Sequence, residues 1–107
     1  MSDADVLLRL GRAIAERRQA DPARSYVASL FGKGPEAMMK KLAEEAAETL
    51  LAAKDGDKLH LVRETADLWF HSLVLLAWHG VGPEDVLAEL RRREGTSGID
   101  EKNSREK

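Results

Sequence analysis

The chain contains no cysteine, which removes disulfides, thiol nucleophiles and cysteine-ligated zinc from consideration. Aromatic residues are scarce at 5%, so any core must be built mainly from aliphatic side chains. Three prolines leave long stretches free of helix breakers. No sign of charge dominates: seventeen basic and nineteen acidic residues give a formal charge of −2. A nucleic-acid partner normally needs a basic footprint, and none is expected here. Long hydrophobic runs are missing too. The most apolar stretch, residues 68–78, is far shorter than the ~20 residues that cross a bilayer, so no membrane partner is expected. The opening Met1-Ser2-Asp3-Ala4-Asp5 is acidic and does not read as a secretory signal, which makes the cytoplasm the expected location.

What remains is 107 residues, 43% apolar and 34% charged, room for one domain of about 100–150 residues. Apolar positions recur at spacings of three and four, the helical period, with no strand-like alternation. Asp3 is placed to cap a helix carrying Val6, Leu7, Leu10 and Ile14, and Ser25 to cap a short one through Leu30. Pro35 suits the first position of a third helix running to about Lys54. Asp55-Gly56-Asp57 ends it and caps a fourth, which stops at Gly80-Val81-Gly82; Pro83 opens a fifth. The expected fold is all-α, an antiparallel bundle of four to five helices completed by dimerisation. Residues 1–94 form that domain. The segment 95–107, with Ile99 its one large aliphatic residue, is expected to be a flexible polar tail. The dimer is expected because residues 68–78 are apolar at every position except His71 and Ser72. A helix greasy around its whole circumference wants more neighbours than one short chain supplies.

Two acidic clusters stand out. The third helix carries Glu44, Glu45 and Glu48, and the fourth carries Glu64 and Asp67. At about 100° per residue, Lys41, Glu44, Glu45 and Glu48 fall on one stripe, opposite an apolar set of Met38, Leu42, Ala46, Thr49, Leu50 and Ala53. His60, Glu64, Asp67 and His71 share an arc of about 60° on the fourth helix. Glu48 lies seven residues before Asp55 and Glu64 seven after Asp57, so an antiparallel hairpin brings the clusters to one height. Carboxylates so gathered repel, and burial beside the apolar run raises the cost. A bound cation removes both penalties, and an all-oxygen donor set suits Mg²⁺ or Mn²⁺. The competing reading is an ordinary solvated face balanced by Lys40 and Lys41. A di-iron site is disfavoured because no Glu-x-x-His pair occurs. Lys33, Lys40, Lys41 and Arg63 rim the acids, the arrangement a polyphosphate needs. His71 is read as a hydrogen-bonded core residue, a carboxylate orienter or a substrate contact. Met38, Met39 and Trp69 are read as packing residues, and His60 as exposed.

The pattern Glu45-x-x-Glu48, fifteen residues, Glu64-x-x-Asp67 resembles the signature of the all-α nucleoside triphosphate pyrophosphohydrolases. Further segments resemble the phosphoribosyl-ATP pyrophosphatase family within it. These are Ser25-Tyr26-Val27-Ala28-Ser29-Leu30, Lys40-Lys41-Leu42-Ala43-Glu44-Glu45-Ala46, Ala52-Ala53-Lys54, Glu64-Thr65-Ala66-Asp67-Leu68-Trp69-Phe70-His71 and Asp85-Val86-Leu87-Ala88-Glu89-Leu90-x-x-Arg93. The resemblance implies Mg²⁺-dependent hydrolysis of the α–β phosphoanhydride of phosphoribosyl-ATP in histidine biosynthesis, by a homodimer. It implies Glu45, Glu48, Glu64 and Asp67 as metal ligands. Glu44 or Glu48 would orient or deprotonate water, with Lys33, Lys40, Lys41, Arg63 and His71 toward the nucleotide. Trp69-Phe70 departs from a leucine-tyrosine pair common in the family. Two other readings stay open at this stage. One is a house-cleaning nucleoside triphosphate pyrophosphohydrolase acting on aberrant nucleotides, the other a non-catalytic helical dimerisation module.

Overall fold

A computed structural model describes residues 3–105. A 3₁₀ turn, Asp3–Asp5, leads into six helices: α1 (Val6–Arg17), α2 (Tyr26–Lys33), α3 (Pro35–Asp55), α4 (Lys58–Trp78), α5 (Pro83–Arg92) and α6 (Gly98–Arg105). The described residues contain no strand. The all-α class is as the sequence implies, and the local chemistry shows why the boundaries fall where they do. The Ser25 hydroxyl accepts from the Ala28 N–H at 3.2 Å and caps α2. Pro35 and Pro83 occupy the first turns of α3 and α5, where no helical N–H is missed. Gly56 ends α3 in the left-handed region, φ 76°, and Asp57 Oδ1 then accepts from the His60 N–H at 3.1 Å to start α4. Only two residues separate the helices, so α3 and α4 run antiparallel and share the most extensive pairing in the molecule.

The core lies at one end of that hairpin. Ile14 of α1, Val27, Leu30 and Phe31 of α2, Met38 early in α3, and Leu73 and Val74 late in α4 form a single buried cluster. Gly11 lets α1 meet the start of α5. A Cβ there would stand 2.5 Å from Pro83 Cδ and 2.6 Å from its Cγ, so the close approach requires glycine. The other end of the hairpin has no such cover. Leu50, Leu51, Leu59 and Val62 are each more than half exposed.

Two expectations need correction. Helix α1 starts after the 3₁₀ turn rather than directly from an Asp3 cap. On α3 the buried positions are Met38, Glu45 and Ala52, seven residues apart, while Leu50 is 71% exposed. The seam against α4 thus takes a carboxylate, paired with Lys41 on its own helix, where the apolar pattern put it on the opposite face. Met39 and Trp69 are likewise about half exposed within this chain, whereas Met38 packs as expected. The tail segment carries α6. Its Glu101 is buried against Arg92, Arg93 and Arg105, an ionic clasp invisible to a reading based on aliphatic content.

Candidate active site

Glu45 and Glu48 lie three residues apart on α3, one helical turn, and Glu64 comes from the facing turn of α4. One carboxylate oxygen from each of the three lies within 4.8 Å of the others. The equal distances from the Asp55-Gly56-Asp57 link do place the acids level. Glu45 is 5% exposed, Glu64 partly buried and Glu48 exposed, so the trio opens to solvent on the Glu48 side.

Each buried member is half satisfied. The Lys41 ammonium stands 3.4 Å from Glu45 Oε1, and His60 Nε2 stands 3.3 Å from Glu64 Oε1. The remaining oxygens, Glu45 Oε2 and Glu64 Oε2, are buried with no hydrogen-bond partner. An unpartnered buried carboxylate oxygen normally costs several times what a surface contact returns. Two of them on carboxylates of one acidic cluster fit a cation that those carboxylates would coordinate. Carboxylates without nitrogen or sulfur donors suit a hard divalent ion. Lys41 is held above the ordinary lysine pKa, first by its hydrogen bond to Glu45 and next by the nearby Tyr26 hydroxyl, and so stays cationic beside the trio.

The other residues singled out from the sequence surround this point at greater distance. Asp67 follows Glu64 by one turn of α4 and is exposed, outside the 4.8 Å group. Glu44 and Lys40 are exposed on α3, Arg63 is exposed on α4, and Lys33 is exposed at the end of α2. His60 is exposed, as expected. His71 is buried. Its Nδ1 lies 2.9 Å from the Asp67 carbonyl oxygen and its Nε2 2.9 Å from the Tyr26 hydroxyl. A carbonyl only accepts, so Nδ1 donates to it and Nε2 accepts from Tyr26. His71 therefore fits the core-histidine reading, bonded to the backbone of Asp67 rather than to its carboxylate. In the sequence Tyr26 stands out only as part of the Ser25–Leu30 segment. Its position, anchored by a residue 45 places away, had no signal in helical periodicity.

Fold and site together define an all-helical protein whose central hairpin gathers acidic side chains beside basic ones, a fitting place for a cation and a phosphorylated ligand. The chain belongs to the phosphoribosyl-ATP pyrophosphohydrolase family, whose model matches residues 7–94. It is 65% identical to the phosphoribosyl-ATP pyrophosphatase of Chromobacterium violaceum over 101 residues, covering 94% of each chain. Against the proteins of that name from Azoarcus sp. strain BH72 and Aromatoleum aromaticum it is 62% and 63% identical. Those matches cover 98% of this chain and 98% and 97% of theirs. No helix among the described residues is long and apolar enough to cross a membrane.

Proposed function

We propose that the protein hydrolyses the α–β phosphoanhydride of phosphoribosyl-ATP, releasing phosphoribosyl-AMP and pyrophosphate in cytoplasmic histidine biosynthesis, with Mg²⁺ as cofactor and Mn²⁺ as a substitute. The observation that carries the reading is the pair of buried, unpartnered oxygens of Glu45 and Glu64, converging with Glu48. Bound there, Mg²⁺ would neutralise charge on the polyphosphate and on the leaving pyrophosphate. Glu45, Glu48 and Glu64 would hold it, with Asp67, one turn further along α4, as a fourth acid.

The rest of the chemistry belongs to the chain. Glu48, the exposed member of the trio, would orient the attacking water and take its proton. Glu44, exposed one turn earlier, is the second acid available for that role. Lys41 pairs with Glu45 at the edge of the site, where its ammonium neutralises phosphate oxygens, and Lys40, Lys33 and Arg63 supply further positive charge around the rim. His71 stays with the fold and holds Tyr26.

A homodimer accounts for the apolar surface that one chain leaves open. Leu50, Leu51, Leu59, Val62 and Trp69 are exposed along the hairpin. A groove of about 310 Å³ beside Trp69, lined by Leu7, Leu76, Val86 and Leu90, continues the patch onto α5. Contiguous apolar surface of this kind marks an interface.

Pyrophosphate release from phosphoribosyl-ATP, assayed beside a panel of ordinary nucleoside triphosphates, tests the reading. Phosphoribosyl-ATP should be strongly preferred. Glu48→Ala and Glu64→Gln should each lower the rate by about 100-fold or more, the scale of losing one preorganised charged group, with circular dichroism unchanged. Wild-type rates in either variant, or preference for an ordinary triphosphate, would refute it. Sedimentation equilibrium showing a monomer at micromolar concentration would refute the dimer.

A further inference from the structure

Base recognition is left open by the acids and lysines, which address only the phosphates. Beside them stands a small aromatic group built from two helices. The Tyr26 ring, at the start of α2, stacks on Phe70 of α4 with centroids 6.2 Å apart and planes 19° apart. His71 meets Tyr26 edge-on at 5.8 Å and Phe70 edge-on at 5.2 Å. The hydroxyl of Tyr26 donates to His71 Nε2 at 2.9 Å, so the ring is fixed at both its face and its tip. Yet Tyr26 remains 51% exposed. A tyrosine held this firmly and left half open offers an immobile flat surface to solvent.

Its placement relative to the acidic trio is suited to a nucleotide. Phe70 and His71 follow Glu64 by six and seven residues on α4, a rise of roughly 9–10 Å at 1.5 Å per residue. His71, bonded to the Tyr26 hydroxyl, lies seven residues or two turns after Glu64 on the same face of α4, which puts the ring on the side of that helix that carries the acid. Trp69, which marks the apolar face assigned to the dimer, lies two residues from His71, about 200° around α4. The open ring of Tyr26 is thus not part of that apolar face.

We propose that the exposed ring of Tyr26, clamped by Phe70 and His71, is the platform on which the purine base of the substrate stacks while its phosphates engage the acidic trio. This rests on the nucleotide-hydrolase reading above and adds the residue that holds the base. Stacking tolerates any planar base, so the platform supplies affinity for a nucleobase, and an N1-ribosylated purine keeps the π-face it needs.

The test compares Tyr26→Ala with Tyr26→Phe, which keeps the ring and loses the hydroxyl bond. With phosphoribosyl-ATP, Tyr26→Ala should raise KM roughly tenfold, near the low end of one base–aromatic stack, while kcat falls less than threefold. Tyr26→Phe should recover most of that loss. If the hydroxyl bond to His71 alone mattered, Phe would be as impaired as Ala, and that result overturns the proposal. A second readout needs no turnover: 2-aminopurine riboside 5′-triphosphate with Mg²⁺ should be quenched on binding to wild type and to Tyr26→Phe, and not on Tyr26→Ala. Equal quenching by all three overturns the platform even if hydrolysis behaves as expected. Failure of the metal-site reading shows itself separately, as full activity in Glu64→Gln, and leaves the fluorescence comparison intact.

Discussion

Glu45 Oε2 and Glu64 Oε2 are both buried and both lack a hydrogen-bond partner, and their carboxylates, one from α3 and one from α4, meet in one cluster. In the metal-free protein that pairing opposes folding, since Lys41 and His60 reach only the Oε1 atoms and leave both Oε2 atoms unsatisfied. Functional sites commonly hold such a conflict, which the ligand resolves.

Neutralising one member should therefore stabilise the metal-free protein. Glu64→Gln removes a charge and puts an N–H donor where Glu45 Oε2 lacks one. A gain of about 1 kcal/mol, or roughly 4–8 °C in Tm for a domain of this size, is expected. Added Mg²⁺ should raise the wild-type Tm through binding linkage and leave the variant unmoved. Melting curves in EDTA and in MgCl₂ check both halves. A metal-free variant less stable than wild type would mean that the trio is a favourable network without a cation.

Acid should loosen the end of α5. Arg92, through Nε and Nη2 at 3.0 and 2.8 Å, and then Arg93 at 3.1 Å hold Glu89, and together they lower its pKa from 4.5 to about 2. The folded value is depressed, so this contact stabilises the fold above pH 4.5 and is lost as pH falls toward 2. Glu89→Gln should accordingly melt below wild type at pH 6, with the gap closing by pH 2. A gap independent of pH would assign the effect to packing.

Gly11→Ala sets two effects against each other. Alanine is the better helix former by about 1 kcal/mol. Its Cβ would overlap the Pro83 ring, and a rigid clash of this kind costs about 1–3 kcal/mol. The clash should win, lowering Tm by several degrees. Calorimetry showing a higher Tm would mean that α5 shifts freely away from α1.

Much of this was legible before any coordinates. The caps at Ser25 and Asp57, the prolines opening α3 and α5 and the level placement of Glu48 and Glu64 all follow from local chemistry and a helical pitch. Two things were not. Polarity misplaced the buried face of α3, since a carboxylate occupies the seam position between Met38 and Ala52 while Leu50 points outward. Tertiary requirements overrode the hydrophobic pattern there. The clasp of Glu101 by three arginines and the Tyr26–His71 bond join residues with no periodic relation, and only packed coordinates reveal them.

The two-residue junction between α3 and α4 has a consequence for how the family can vary in length. One residue inserted within either helix between the junction and an acid would swing that acid about 100° around its axis and dismantle the trio. An insertion at Gly56 itself would leave both rods, and the phase between them, largely untouched. Insertion scanning should find tolerance at the bend and intolerance a turn away on either side, which makes helical phase, rather than chain length, the quantity this hairpin preserves.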